Sequence, residues 1–261
     1  MIEINNKVDY IFYTNNTPNT YKIKLMFHEL EKKHAITFES RIIDITKKEN
    51  YSDEFIKINP NKKVPAIIDQ TGEKPFIVFE SVSILIYLAQ KYSSIFLPDF
   101  KTNPLENSEV ITWAIWQAAN LGPAFGQYFH FSFFSPTVQE YSLHRFNNEA
   151  QRILRLLDDR LSVSPYIGGK EYSIADIASA GWLLYLNFAP IYNANKDRFP
   201  NLFKWLDLIN QRDAVKQVNE AIKERFGAFN TSPLRSLFTN DPDLINAKAP
   251  IGIENVVLKY D

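Results

Sequence analysis

Glu80 and Ser81 are the residues on which chemistry can be built. They stand between the strand-like run Phe76-Ile77-Val78-Phe79 and an apolar helical pattern from Val82 to Tyr92. Ser81 therefore sits where a helix N-cap belongs, its hydroxyl and the unpaired backbone N–H groups behind it facing whatever lies at the strand end. A carboxylate bound there is stabilised by the helix dipole, and Glu80 supplies a negative charge for a neighbouring ammonium. An amino acid carries both groups. Upstream, Asn59-Pro60-Asn61-Lys62-Lys63-Val64-Pro65-Ala66-Ile67-Ile68-Asp69 places a proline inside a strand-like run. Pro65 cannot donate to a ladder, which indicates a sheet edge or a cis turn and leaves the Val64 backbone able to pair with an extended peptide. The chain has no cysteine, so it offers no disulfide scaffold, no Cys-x-x-Cys pair and no thiolate of its own. Any thiol chemistry must come from a bound ligand. No His/Cys/Asp group has metal-ligand spacing, no phosphate loop is visible among eight glycines, and no Ser-His-Asp set is suggested.

The elements that must position these residues follow from periodicity. Asp9 to Tyr13 has strand pattern, and Thr17 before Pro18 is an N-cap followed by proline at the first helical position. In the helix that follows, Ile23, Phe27 and Leu30 recur on a buried side, with Lys22, Glu29 and Lys33 placed elsewhere. A second strand over Ile36–Asp44, a short helix over Ser52–Ile58, a hairpin across Asp69-Gln70-Thr71-Gly72-Glu73 and the helix after Ser81 complete a small thioredoxin-like sheet. Leu97 to Pro104 has the prolines and polar residues of a linker. Beyond it the pattern is helical: Val110, Trp113, Ala114, Ala118 and Leu121 form one stripe, which Gly122-Pro123 should kink, and Phe146, Ala150, Ile153, Leu154, Leu157 and Leu161 form another. Ser173 and Asp176 make a capping box with Tyr172 and Ile177 as its staple, and helices are expected over Phe199–Ile209 and Val215–Phe226. The division expected is an α/β domain over 1–97, an all-α domain over 104–226 and an irregular extension over 227–261.

Composition bounds the function. With 45% hydrophobic, 14% aromatic and 23% charged residues over 261 positions the chain is a globular protein with room for two modest domains. A formal net charge of −1 gives no electrostatic case for nucleic acid or an anionic membrane as partner. No apolar run reaches the roughly 18 residues of a membrane span, and the start has no signal-peptide pattern, so a cytoplasmic location is expected.

Asn59-Pro60 through Val64-Pro65-Ala66, followed by Phe79-Glu80-Ser81, resembles the glutathione-binding half of the cytosolic glutathione transferases, and the Ser173-Ile174-Ala175-Asp176 box is a hallmark of their helical half. Thr17-Pro18-Asn19, joined to Leu121-Gly122-Pro123-Ala124-Phe125-Gly126-Gln127 and His130-Phe131, resembles one branch, the bacterial Nu class, related to the yeast nitrogen-regulation prion protein. The resemblance runs from about Asp9 to Phe226 and leaves the tail uncovered. It implies glutathione as co-substrate, no metal, a small-molecule disulfide or electrophile as partner, and a homodimer for which Trp113, Trp116, Tyr87 and Phe79 are interface candidates. It implies that Thr17 and Asn19 face the glutathione sulfur, that Asn50 and the Val64 backbone hold the peptide, that Glu80 and Ser81 bind the γ-glutamyl end, and that Arg145 reaches a glutathione carboxylate, across the dimer interface. The implied reaction is disulfide-bond reduction, beside conjugating or peroxidase activity. A thiol attacks as thiolate, and its ordinary pKa, about 8.5, must be lowered for use at neutral pH. Two other readings stand: a conventional conjugating transferase with Tyr13 as donor to sulfur, and a non-catalytic glutathione-fold binding protein. Each residue also has a plainer role, Thr17 as helix cap, Arg145 and Lys63 as solvated charges, His130 as part of an aromatic wall.

Overall fold

Alternation along the first strand, β1 (Tyr10–Thr14), divides its side chains between two cores. Tyr10 and Phe12 enter the large core, while Ile11 and Tyr13 pack with Phe55, Ile58, Ala66 and Ile68 in a small one on the other face. The computed structural model describes residues 8–92, 95–135, 139–187 and 196–228. In it β1 pairs in parallel with β2 (Phe38–Ile42) and antiparallel with β3 (Ala66–Asp69), which forms a hairpin with β4 (Phe76–Phe79). The order β2-β1-β3-β4 is that of a thioredoxin-like sheet. Helix α1 (Pro18–Glu31) covers one face and α2 (Asp53–Ile58) the other, and α3 (Ser81–Lys91) leaves directly from β4.

The second half is helical: α4 (Pro104–Trp116), α5 (Gly122–Phe129), α6 (Glu140–Val163), α7 (Ile174–Leu183), α8 (Pro200–Ile209) and α9 (Asp213–Ala228). The interruption expected at Gly122-Pro123 takes the form of a π-helical turn over Gln117–Leu121, immediately before the proline. A widened turn at that place relieves the clash between the proline ring and the carbonyl four residues back, and it needs no N–H from Pro123. A second π-helical turn follows over His130–Phe134. The expected extension over 227–261 lies, from residue 229 onward, outside the described residues.

Two expectations about α1 need correction. Ile23, Phe27 and Leu30 are buried as expected, Phe27 against Tyr10 and Phe12 with ring centroids 5.3 and 5.6 Å apart. Lys22 and Glu29, expected on a charged surface, are buried as well. Helix α7 closes over that second face, and Arg212, in the turn before α9, meets Glu29 through Nε and Nη2 at 2.5 and 2.8 Å while its guanidinium lies 3.8 Å from the centroid of Tyr172. A helix buried on two sides carries little amphipathic signal.

The helical half is centred on Asp176, which is wholly buried. Its carboxylate accepts from the N–H of Ile167 at 2.9 Å, the N–H and hydroxyl of Ser173 at 3.0 and 3.1 Å, and Trp205 Nε1 at 2.9 Å. The capping box is therefore also a junction between α7, α8 and the loop after α6. Asp176→Ala would strand two main-chain N–H groups and an indole N–H in the core, each costing about 1–3 kcal/mol. Urea unfolding should show a loss of roughly 3 kcal/mol or more; a loss below about 1 kcal/mol would mean that these donors find other partners.

Candidate active site

Where β4 runs into α3 the backbone turns at one residue. Glu80 has φ 68° and ψ 119°, a left-handed conformation rare for a residue with a Cβ, and it is the N-cap. Ser81, expected at the N-cap, is instead the first residue of α3, buried, with the free N–H groups of the first turn around it. The positive φ of Glu80 makes the difference, since it completes the reversal one residue earlier than the composition indicates. Glu80 stays exposed, with Oε1 3.4 Å from Asn61 Nδ2. The dipole and donors read from the sequence are present, on a residue one position further in.

Asn59 shapes the neighbouring loop. It is buried, its Nδ2 donates to the Lys63 carbonyl at 2.6 Å, and its Oδ1 accepts the Asn61 N–H at 2.9 Å. The Val64–Pro65 peptide is cis, and Val64 precedes the β3 ladder, which begins at Ala66. Asn50 braces the loop from behind: its Nδ2 donates to the Lys62 carbonyl at 2.9 Å, where Lys62 itself is left-handed at φ 59°.

Helix α1 supplies the opposite wall. Thr17 is its N-cap with Pro18 at the first position, and Thr17 N–H donates to Thr20 Oγ1 at 3.2 Å. The Thr20 N–H bonds the Thr17 carbonyl at 3.0 Å, and the two hydroxyl oxygens are 3.3 Å apart. Asn19 and Lys22, three apart and hence on one helix face, are the two α1 residues that line the cavity. Trp182 Nε1 donates to Asn19 Oδ1 at 3.2 Å. An indole can only donate, so this bond identifies the amide oxygen and leaves the Asn19 Nδ2 hydrogens for the cavity. Lys22 Nζ donates to Ser81 Oγ at 3.1 Å and to Gln117 Oε1 at 2.6 Å. Burial lowers the Lys22 pKa to about 7, against the opposing pull of Glu80.

These pieces enclose a cavity of about 780 Å³ between the sheet half and the helical half. Asn19 and Lys22 of α1, the loop Asn59–Pro65, Glu80 and Ser81 form one side; Ala118, Gly122, Pro123, Gly126, Gln127, His130 and Trp182 form the other. Four of the implied site residues, Asn19, Val64, Glu80 and Ser81, meet there, with Lys63 at the edge. Thr17 and Asn50 are not in the lining. Arg145 is on α6, in a separate basic groove with Arg152, Arg155 and Arg198, and does not reach the cavity within one chain. Tyr13 is also elsewhere: its ring packs on Phe55, 5.8 Å between centroids, and its hydroxyl is 3.5 Å from Arg41 Nη1. His130 does stand in the cavity wall, in edge contact with Phe131, and burial lowers its pKa.

Residues 9–90 match the family description "Glutathione S-transferase, N-terminal domain" and residues 121–213 match "Glutathione S-transferase, C-terminal domain". A glutathione S-transferase domain-containing protein of Dictyostelium discoideum is 85% identical over 100% of both chains. The chain belongs to the glutathione S-transferase family. The disulfide-bond oxidoreductase YfcG of Escherichia coli (strain K12) is 35% identical over 204 residues, 77% of this chain and 90% of its own. The crystal structure of glutathione transferase YghU from Streptococcus pneumoniae, complexed with glutathione, matches with a TM-score of 0.75 at 37% identity, over 82% of this chain and 83% of that one.

The cavity lies where the two glutathione S-transferase segments face each other. Sequence reasoning missed three of its parts: Lys22, Trp182 and the bracing role of Asn59. The i, i+3 spacing of Asn19 and Lys22 was the available signal for the first. Gly181 was a signal for the packing that buries it. A Cβ there would lie 2.5 Å from the Pro18 carbonyl oxygen and 2.6 Å from Lys22 Cγ, so only glycine lets α7 come this close to α1. Gly181→Ala should therefore overpack the seam by about 1–3 kcal/mol. The expected readout is a melting temperature lower by several degrees; a parental value would show that α1 and α7 separate at no cost.

Proposed function

We propose that the cavity binds glutathione and that the protein is a glutathione-dependent disulfide-bond oxidoreductase. The observation that carries this reading is the placement of a carboxylate (Glu80), a hydroxyl at a helix N-terminus (Ser81) and an unspent amide donor (Asn19) around one cavity. The γ-glutamyl end of glutathione has an ammonium for Glu80 and a carboxylate for Ser81 and the α3 N-terminus. The Val64 backbone pairs with the extended peptide, whose terminal carboxylate is within the charge range of Lys63. The sulfur then faces the start of α1, where Asn19 Nδ2 and the helix dipole lower the thiol pKa; Thr17 acts by holding that helix end and its hydroxyl.

The bound thiolate attacks one sulfur of a small disulfide, forming a glutathione mixed disulfide and releasing the first thiolate. A second glutathione thiolate attacks the mixed disulfide, releasing the other thiolate and leaving glutathione disulfide. Two glutathiones are oxidised and one disulfide is reduced. The protein, with no cysteine, is never part of a mixed disulfide. The 35% identity to a disulfide-bond oxidoreductase supports this chemistry over simple conjugation. So does the position of Tyr13, which faces the small core beside Phe55. A cytoplasmic, two-fold dimeric protein fits the proposal, with Arg145 reaching the neighbouring subunit's ligand.

Ser81→Ala and Glu80→Gln should each weaken glutathione binding about ten- to a hundredfold by calorimetry, since each removes a charge-assisted contact of roughly 1.5–3 kcal/mol. Parental affinity in both would remove the assignment of this cavity. In turnover with a small disulfide, Asn19→Ala should be the most impaired, Thr17→Ala partly active and Tyr13→Phe near parental; collapse in Tyr13→Phe alone would promote the phenol-based conjugating mechanism. Sedimentation should give about twice 30.3 kDa, and a monomer would leave Arg145 without a ligand to reach.

A further inference from the structure

Lys22 is 1% exposed, yet it lines the cavity, and among the described residues it has two acceptors, Ser81 Oγ at 3.1 Å and Gln117 Oε1 at 2.6 Å. Two acceptors match the two N–H bonds of a neutral amine. An ammonium has three, and the third needs an acceptor that the described residues do not place there. The carboxylate proposed for the Ser81 corner would be that acceptor. Resting on the glutathione assignment, we infer that Lys22 is a positioning residue that takes up a proton from solvent when glutathione binds. Its ammonium then holds the Ser81 oxygen as an acceptor and turns the Ser81 hydroxyl hydrogen toward the ligand carboxylate. The balance is simple: amine, proton and ligand carboxylate become an ammonium–carboxylate pair, with no covalent change.

The surroundings fit a group poised between its two forms. Gln117, wholly buried in the π-helical turn, contributes a neutral acceptor, and α7 presents Gly181 and Trp182, none of which titrates at neutral pH. Helix α9 meets α1 on the Tyr21 side. The charged or titratable groups sharing the cavity are Glu80, which favours the ammonium, and Lys63 and His130, which oppose or are neutral to it. Burial has already brought the amine to about 7, so near-neutral solution leaves both forms populated before the ligand arrives. A bound carboxylate raises that value, because an opposite charge at contact favours the ammonium. Between the free and the bound pKa, affinity must therefore weaken up to tenfold for each unit of rising pH.

The test uses S-methylglutathione, which lacks the thiol and its titration, with calorimetry in buffers of different ionisation enthalpy. At pH 8 the unmodified protein should take up clearly more protons per ligand than the ligand's own amine can account for. Lys22→Met should bind at least tenfold more weakly at pH 6.5, lose the additional uptake and show a flatter pH profile. Parental affinity and parental proton uptake in Lys22→Met would overturn the inference. If Lys22→Met does not fold, the unmodified protein decides alone: uptake no greater than the ligand amine's share overturns it. Absence of any binding by the unmodified protein at pH 6.5 would instead count against the glutathione assignment itself.

Discussion

The close approach of α1 to α7 is the constraint on which the rest of the structure depends. It exists because residue 181 has no side chain: the Pro18 carbonyl and the Lys22 stem occupy the space a Cβ would fill. Three polar ties then run along one face of α1. Asn19 accepts from Trp182, Lys22 donates to Gln117, and Glu29 receives Arg212. Positions 19, 22, 26 and 29 lie at spacings of three, four and three, a single helical stripe, while Ile23, Phe27 and Leu30 make the stripe that meets the sheet. Each tie crosses from the sheet half to the helical half. Displacing α1 would therefore disturb the Asn19 amide, the Ser81 partner and the seam at Tyr172 together. Removing Arg212, which is half-buried, would leave the buried Glu29 carboxylate uncompensated, so these ties hold register even where they add little net stability.

The helix facing α1 is shaped for the same purpose. Its π-helical turn at Gln117–Leu121 absorbs Pro123 and carries Gln117 into the seam, where its oxygen accepts from Lys22. The residues this helix presents to the cavity include Ala118, Gly122 and Gly126, which leave room for a ligand rather than filling the gap with side chains. Rings then bound the far end: Phe129 stacks on Trp182 with planes 9° apart, and Phe131 stacks on Phe146 with planes 8° apart. Trp182 is thus fixed from both sides, and with it the orientation of the Asn19 amide.

How far the sequence was legible follows from which interactions are local. The hairpin and the helix after it, the proline-marked start of α1, the short helix expected over Ser52–Ile58 and found over Asp53–Ile58, and the Ser173–Asp176 box were all readable because each is closed within a few residues. The strand over Ile36–Asp44 shrank to Phe38–Ile42, since pairing with β1 sets its length. Lys22 and Glu29 were misplaced for a different reason. Their partners lie 95 and 183 residues away, and a charged residue buried by a distant helix looks, in its own window, like a solvated one. Asn50 and Arg145 were named through the resemblance and not through a local pattern. Within one chain Asn50 braces Lys62 and Arg145 lines a groove of arginines, contacts that no short window of sequence displays.

Glu80 shows why the site could not be built from unstrained parts. A non-glycine residue at φ 68° costs about 1–2 kcal/mol, and glycine would remove that cost. Glycine would also remove the carboxylate. With the strained residue kept, β4 passes into α3 within one position, so a negative side chain at the cavity rim and the positive end of a helix sit side by side. No relaxed extended-to-helix turn brings both so near, because a Ser81 at the N-cap would place Glu80 still in the strand, alternating away to one face of the sheet. The strain is held by the surroundings: Val78 and Val82 are packed in the large core on either side, and Ser81 is fixed from behind by Lys22. The left-handed residue sets Ser81 at the helix start, the buried lysine holds the Ser81 hydroxyl, and the glycine makes room for the lysine, so the three form one arrangement.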